Sequence, residues 1–173
     1  MLTRTCLCLI RRTTAAGPEV LLGLKKTGFG QGRWVGLGGH IEPGEKPAAA
    51  AAREVEEESG LIVSADMLEH VASIEFRFPW RPSWDQTAQV YLTSCFTGEP
   101  AESEEIAPRW YPEDALPFDL MWDDARYWMP RALAGEHVAA RITFAADCAT
   151  AASIEPAGPG RPGGQAGSGR HGD

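Results

Sequence analysis

The stretch that decides the fold is GHIEPGEKPAAAAAREVEEESGL, residues 39–61, in which five consecutive alanines precede a crowd of glutamates. Pro47 suits the first turn of a helix, where its missing N–H is not needed. Gly60 suits the position just past the last turn, where the backbone often turns left-handed. The stretch therefore predicts a helix that begins near Pro47 and ends at Gly60.

The glutamates of this helix have a directional pattern. At about 100° per residue, Glu54, Glu57 and Glu58 share one face, whereas Glu56 falls on the far side. The small-residue face predicted to lie against a sheet consists of Ala48, Ala51, Ala52 and Val55. Most glutamate runs are solvated faces. Here Arg53 is the one basic residue within residues 47–61, although carboxylates at this spacing repel one another. This imbalance favours a bound divalent cation with oxygen ligands, Mg²⁺ or alternatively Mn²⁺.

Alternating and apolar runs around the helix predict a set of strands. They are predicted at residues 3–10, 20–26, 74–78, 88–96, 109–111 and 140–145. The first two strands form a hairpin, and a glycine-rich loop leads from the second to the acidic helix. Apolar residues at steps of three and four from Met121 to Ala132 predict a second amphipathic helix.

The end of the chain differs in composition from the rest. Residues 157–173 are rich in Gly and Pro and carry almost nothing apolar to bury, which is typical of disorder. The predicted domain therefore spans residues 1–156, and the tail spans residues 157–173.

Composition narrows the class of partner. The net charge of −8 argues against a nonspecific binder of duplex nucleic acid, which needs clustered Lys and Arg. No run approaches the roughly 18 apolar residues of a membrane span, and no secretion signal is recognisable. Without CxxC spacing, the four cysteines are predicted to be reduced core thiols. We expect a cytoplasmic monomer that acts on a small molecule.

Residues 39–61 resemble the Nudix box, whose pattern is G-x5-E-x7-R-E-aliphatic-x-E-E-x-G-aliphatic. The matching residues are Gly39, Glu45, Arg53, Glu54, Val55, Glu57, Glu58, Gly60 and Leu61. The resemblance implies an α/β/α sandwich with a mixed β-sheet between helices. It also implies hydrolysis of a nucleoside diphosphate linked to another group.

The same resemblance implies roles for individual residues. The expected Mg²⁺ ligands are Gly38 through its carbonyl, Glu54, Glu57, Glu58 and Glu105. Glu54 is the candidate to polarise the attacking water, and Glu105 is an alternative base. Arg53 would orient the glutamates through charge-assisted hydrogen bonds, whereas Glu45 would brace the loop.

The similarity extends beyond the box to residues 21–45, 98–111 and 117–130, which resemble MutT-type oxidised purine nucleoside triphosphate hydrolases. It implies release of monophosphate and pyrophosphate from 8-oxo-dGTP and 2-oxo-dATP, which sanitises the nucleotide pool and prevents DNA damage. The residues expected to contact the base are Thr5, Lys25, Phe29, Val35, Phe76, Phe78, Trp122, Asp124 and Trp128. Trp80 and Trp84 would form a lid or remain surface aromatics.

Two residues depart from that family's base pocket. Val35 stands where the family carries an asparagine, and Ala125 stands where it carries the second of two aspartates. These departures motivate an alternative, a Nudix pyrophosphohydrolase of unmodified dNTPs, other nucleoside diphosphate derivatives or capped RNA. A non-catalytic ligand-binding module is a further alternative, although such modules usually lose box glutamates and this chain keeps all of them.

Overall fold

A computed structural model describes residues 2–157, in which nine strands form one mixed sheet. The strands are β1 (Thr3–Thr14), β2 (Gly17–Lys25), β3 (Trp34–Val35), β4 (Leu37–His40), β5 (Glu69–Arg77), β6 (Gln86–Thr93), β7 (Ile106–Pro112), β8 (Val138–Phe144) and β9 (Ala151–Pro156). The helices are α1 (Pro47–Ser59) and α2 (Ala125–Leu133), and short 3-10 turns lie at Ala65–Met67, Pro82–Trp84, Glu113–Ala115 and Phe118–Leu120. The tail predicted over residues 157–173 lies outside the described residues, apart from Ala157.

The sheet is built around β1. Its order is β3-β2-β1-β6-β5-β8-β9, with β4 also paired to β1 and β7 to β2. The pairs β1–β6 and β5–β8 are parallel, and the others are antiparallel. Strand β1 can occupy the centre because both of its faces are apolar and buried, with Cys6 and Cys8 on one face and Leu9 on the other.

Each face of the sheet packs against one helix. Ala50, Ala51 and Val55 of α1 belong to one buried cluster with Cys6 and Cys8. The side chains of α2, among them Trp128 and Met129, belong to a second cluster on the other face. The predicted α/β/α sandwich with a mixed sheet is therefore confirmed.

Helix α1 has the predicted bounds. Pro47 occupies its first turn, and Gly60 has φ 73° and donates its backbone N–H to the carbonyl of Glu56. The buried face is rotated from the predicted one, since Ala50, Glu58 and Ser59 are buried, whereas Ala48 and Ala52 are only half-buried. A shift of this size moves one carboxylate, that of Glu58, out of solvent.

Several other elements differ from prediction, and β3 and β4 lie within the segment predicted as a glycine-rich loop. Strand β1 continues to Thr14 because its pairing with β2 runs to Thr14↔Gly17. Helix α2 begins at Ala125, after a 3-10 turn, and not at Met121. Strand β9 was not predicted because it is an edge strand with mostly exposed side chains, so it lacks a buried apolar face.

The prediction for the cysteines holds for two of the four. All four are free; Cys6 and Cys8 are buried, whereas Cys95 is exposed and Cys148 half-buried. Burial raises the pKa of Cys6 to about 11 and that of Cys8 to about 12. No helix within residues 2–157 is long and apolar enough to cross a membrane.

The contact between α1 and the sheet can be tested with one pair of substitutions. Ala51 is fully buried and Ala49 is exposed on the same helix. We expect Ala51→Leu to lower the free energy of unfolding by about 1–3 kcal/mol, because extra volume strains a packed core. Ala49→Leu should change it by less than about 0.5 kcal/mol. Urea unfolding measures both, and equal effects would contradict this packing.

Candidate active site

A cavity of about 710 Å³ brings the acidic helix and the aromatic residues together. All the predicted site residues line it except Arg53 and Glu58. The predicted residues in its lining are Thr5, Lys25, Phe29, Val35, Gly38, Glu54, Glu57, Phe76, Phe78, Glu105, Trp122, Asp124 and Trp128. The cavity therefore has an acidic part and an aromatic part in one space.

Arg53 joins the loop before α1 to the carboxylates on α1. Its Nε and Nη2 donate to the two oxygens of Glu45, each at 3.0 Å, and Nη2 also donates to the carbonyl of His40 at 3.1 Å. Its Nη1 donates to Glu54 at 2.8 Å and to Glu57 at 3.1 Å. The orienting contacts predicted for Arg53 are present.

Glu45 has the bracing position predicted for it. Besides the two bonds from Arg53, its Oε2 accepts the backbone N–H of Glu42 at 3.0 Å. The hydrogen bonds from Arg53 lower the pKa of Glu45. Glu45 does not line the cavity, so it holds the loop and not a ligand in that space.

Glu58 is more deeply buried than the other glutamates of the acidic face. Its side chain is only 4% exposed, and its Oε2 accepts the backbone N–H of Gly38 at 2.9 Å. Burial raises its pKa to about 7, and the charges of Glu54 and Glu105 contribute in the same direction. The hydrogen bond from Gly38 and the charge of Lys25 act in the opposite direction.

The glycines of β4 permit close contacts with α1 and with β1. A Cβ at Gly39 would lie 2.5 Å from the carboxyl of Glu54, and one at Gly38 would lie 2.0 Å from the carbonyl oxygen of Cys6. A larger residue at either position would displace the carboxylate or the strand. The spacing between Gly39 and Glu54 in the box thus reflects close contact between the backbone of β4 and the carboxylate of Glu54.

Lys25 lies among the carboxylates. Its Nζ is 3.6 Å from Glu58 and 3.4 Å from Glu105. Glu105 is positioned by its backbone, since its carbonyl accepts the N–H of Lys26 at 2.8 Å. Lys25 was predicted as a contact to the base, but its ammonium lies at the acidic part of the cavity.

The acidic part has the chemistry of a site for a hard cation. Within residues 2–157 no three His, Cys, Asp or Glu side chains are arranged to hold a metal ion as they stand. The cationic groups of Arg53 and Lys25 lie among the carboxylates. The donors are all oxygens, which suits Mg²⁺ or Mn²⁺. A divalent cation would replace contacts of these two cations and would offset the charges of Glu54 and Glu105, which add to the effect of burial on the pKa of Glu58.

The aromatic part is a cluster of stacked and edge-on rings. Phe29 stacks on Trp122, with centroids 5.0 Å apart, and meets Trp84 edge-on at 5.0 Å. Phe78 meets Trp84 edge-on at 5.6 Å, and the guanidinium of Arg33 lies 4.3 Å from the Trp122 ring. Such flat apolar walls suit a planar ring.

Residues that the sequence did not single out also line this part. They include Gln86, Met121, Met129 and Phe144. Met121 and Met129 belong to the apolar pattern of the second helix, and Phe144 to a predicted strand, so their apolar character was visible. Only the packing of α2 on the sheet brings them to the cavity.

The two tryptophans of the loop between β5 and β6 have different roles. The carboxylate of Asp85 accepts the N–H of Phe78 at 2.7 Å and a bond from Arg77 at 3.0 Å. These bonds hold the 3-10 turn that places Trp84 in the cavity wall. Trp80 is 69% exposed and does not line the cavity, so it is a surface aromatic.

Asp124 and Asp123 are also used differently. Asp124 is 5% exposed, lines the cavity and accepts the indole N–H of Trp128 at 2.8 Å. Burial raises its pKa to about 6. Asp123 instead accepts the backbone N–H of Ala151 at 3.0 Å and pairs with Arg126 at 3.1 Å. Asp123 therefore links the start of α2 to β9.

The arrangement suits one kind of ligand. An apolar, aromatic-walled cavity with a few polar groups binds a planar organic group. The adjoining carboxylates and Lys25 suit a phosphate chain that arrives with a divalent cation. A nucleotide has both parts.

Comparisons with known proteins agree with this chemistry. A protein-family model described as "NUDIX domain" matches residues 1–132. A relative from Mus musculus named "Oxidized purine nucleoside triphosphate hydrolase" is 44% identical over 112 residues, which cover 65% of this chain and 70% of the relative. A relative of the same name from Danio rerio is 43% identical over 112 residues, with the same coverage.

A solved structure supports the fold. The structure described as "mMutator MutT protein from Bacillus halodurans" superposes with a TM-score of 0.72 at 21% identity. The alignment covers 89% of this chain and 97% of that chain. At this identity the likeness concerns the fold.

The buried carboxyl of Asp124 predicts a pH dependence of stability. Its pKa is about 6 in the folded protein and about 3.9 in an unfolded chain. Ionisation therefore destabilises the fold above about pH 6, and this cost disappears as the pH falls below about 4. Asp124→Asn cannot ionise, so its Tm relative to the unaltered protein should be higher at about pH 8 than at about pH 5. Thermal unfolding measures this, and a difference independent of pH would contradict it.

Proposed function

This chain belongs to the NUDIX family of hydrolases, and on that premise we propose that it hydrolyses oxidised purine nucleoside triphosphates, of the 8-oxo-dGTP and 2-oxo-dATP type, to monophosphate and pyrophosphate. The observation that supports this most strongly is the shared cavity, in which carboxylates adjoin stacked aromatic rings. Two relatives at 43% and 44% identity are named for that activity. The protein would thereby sanitise the nucleotide pool.

The acidic part would bind the phosphates. The residues that would hold Mg²⁺, or alternatively Mn²⁺, are Gly38 through its carbonyl, Glu54, Glu57, Glu58 and Glu105. Bound there, the cation would neutralise phosphate charge and make water a better nucleophile. Nudix hydrolases generally use such divalent metals.

The side chains of the chain itself would position the reaction. Glu54 is the proposed acceptor of the water proton, with Glu105 as the alternative. Arg53 keeps Glu54 and Glu57 in place from outside the cavity, through bonds of 2.8 and 3.1 Å. The ammonium of Lys25 would attract the phosphate chain.

The aromatic part would bind the base. Phe29, Phe78 and Trp122 provide the flat surfaces, with Phe76 and Trp128 beside them. Asp124, once ionised, is an acceptor only, so it would select purine edges that present N–H donors. Thr5 offers a further polar contact, although its hydroxyl already donates to the carbonyl of Thr87 at 3.0 Å.

The proposed setting follows from the substrate. Nucleotides are small molecules in the cytoplasm, and we propose that the protein acts there as a monomer, without duplex nucleic acid or membrane as partner. The acidic net charge of −8 supports a substrate that binds with a cation.

A second candidate function has its own observation. Val35 and Ala125 line the cavity, and neither side chain can hydrogen-bond to a base. A pocket with fewer such groups discriminates less between bases, since each buried hydrogen bond contributes about 1 kcal/mol. The alternative is a Nudix pyrophosphohydrolase of unmodified dNTPs, other nucleoside diphosphate derivatives or capped RNA.

A substrate panel separates these two functions. With Mg²⁺, we expect 8-oxo-dGTP to be hydrolysed with a kcat/KM at least about tenfold above that for dGTP, because about 1.4 kcal/mol of selective binding gives a factor of ten. The products and rates are measured by HPLC with nucleoside diphosphates and capped RNA in the same panel. Equal turnover of all nucleotides would contradict the sanitising function, and faster turnover of another class would favour the alternative.

The metal role of the acidic face can be tested with neighbouring glutamates. Glu57 lines the cavity, whereas Glu56 is exposed on the far side of α1 and does not line it. We expect Glu57→Gln to lower kcat by about 10²-fold or more, as loss of a group that stabilises transition-state charge does. Glu56→Gln should retain the rate.

The same pair of variants provides the control for folding. Both should unfold at temperatures close to that of the unaltered protein, since neither side chain is buried. Equal rates for Glu57→Gln and Glu56→Gln at saturating Mg²⁺ would exclude Glu57 from the site.

A further inference from the structure

Two histidines lie side by side where β5 and β8 begin. His70 is in β5, and His137 directly precedes β8, which runs parallel to β5 with Ala72 opposite Val138. The Nε2 of His137 lies 3.0 Å from the Nδ1 of His70. His137 is exposed and His70 is half-buried, so solvent reaches the contact between the rings.

The other nitrogen of His70 has a defined partner. Its Nε2 lies 2.7 Å from the side-chain oxygen of Gln89, and the hydroxyl of Ser73 donates to that same oxygen at 3.0 Å. Because this oxygen can only accept, the network assigns a proton to the Nε2 of His70. The lone pair of Nδ1 is then directed toward His137.

We propose that His70 and His137 form a binding site for a divalent transition metal ion, Cu²⁺ or Ni²⁺. Bonds of about 2.0–2.1 Å from imidazole nitrogen to metal place two ligands about 2.9 Å apart at a right angle, but about 3.4 Å apart at a tetrahedral angle. The observed 3.0 Å is near the right-angle spacing, and a turn of the exposed His137 ring would direct both facing nitrogens at one ion. Square-planar and tetragonal sites with nitrogen and oxygen ligands are typical of Cu²⁺ and Ni²⁺.

The proton balance of binding is simple. In the free protein His137 donates its Nε2 proton to the Nδ1 of His70. On binding, that proton moves through solvent to the Nδ1 of His137, and the two facing nitrogens both become ligands. Within residues 2–157 no third His, Cys, Asp or Glu completes the group, so water would occupy the other positions.

Gln89 completes the arrangement expected of a metal-bound histidine. Such a histidine usually donates its other N–H to an oxygen, which sets its tautomer and its orientation. The contact between His70 and Gln89 is of this kind, and the ring of Tyr91 lies edge-on to His70 at 5.4 Å. The orientation of His70 therefore depends on paired strands, whereas His137 lies in the loop that leads into β8.

This site is separate from the acidic cavity. Strand β6 alternates, so Gln86 and Ala88 line the cavity, whereas Gln89 does not and Tyr91 packs in the cluster beside α1. None of His70, Ser73, Gln89 and His137 lines the cavity. The proposal is therefore independent of the proposed hydrolysis.

Calorimetric titration of the full chain with Ni²⁺ tests the site. Excess Mg²⁺ is kept present, because it prefers oxygen ligands and would occupy the carboxylates. We expect one Ni²⁺ per chain and an affinity at least about tenfold lower for His137→Asn, whose exposed position keeps the fold intact. Gln89→Leu should weaken binding by about tenfold, as loss of a partner of a metal-bound histidine does.

Two further histidines serve as matched controls. His40 lies in β4 and His171 lies outside the described residues, so His40→Asn and His171→Asn should retain the Ni²⁺ affinity. With Cu²⁺, the electron paramagnetic resonance spectrum should show two nitrogen ligands, and one or none in His137→Asn. An unchanged affinity and spectrum in His137→Asn, or loss of the site in His171→Asn, would overturn the proposal.

Discussion

The bonds of Arg53 are the constraint on which the site depends. One guanidinium holds both oxygens of Glu45 and the carbonyl of His40 on the loop side, and Glu54 and Glu57 on the helix side. The loop and α1 thus take one relative position, and the carboxylates face the cavity although they repel one another. A lysine could not replace it, because only the planar fork reaches these groups together.

The burial of Glu58 beside the cavity opposes the ionisation of its carboxyl group, and a ligand that arrives with a cation would reduce this cost. Glu58 is buried where its ionisation is costly, as its pKa of about 7 shows. Lys25 compensates for part of that charge, and a cation arriving with phosphate would compensate for more. In the aromatic part of the cavity, Phe29 and Trp122 already contact each other without a ligand. A base would therefore pack against rings that are already in place. Substrate charge and substrate ring would thus be bound by different parts of one space.

Prediction from sequence succeeded where interactions between residues close together in the chain determine the structure. The bounds of α1 follow from Pro47 and Gly60, which act within one helical turn, and the face shared by the glutamates follows from helical periodicity. Prediction from sequence failed where pairing or packing with strands distant in the chain determines the structure. The burial of Glu58 depends on Gly38 of β4, and strand β9 depends on pairing with β8, since its side chains are mostly exposed. Lys25 lies at the acidic part of the cavity beside Glu105, which is 80 residues away in the chain.

By itself the sequence determined the acidic helix, because this depends on spacing within a short segment. Through the resemblance that this segment carries, it also indicated the family, the sandwich fold and many of the residues that line the cavity. Asp124, which the sequence already singled out, lines the cavity. Only the tertiary structure decided the partner of its neighbour Asp123, which bonds to the backbone of Ala151. The tertiary structure also decided that Trp84 forms a wall while Trp80 remains in solvent, and it brought His70 and His137 together. The physical reason is the same in each case: a side chain's partner across the sheet is set by strand pairing and helix packing, which bring together residues that are far apart in the chain.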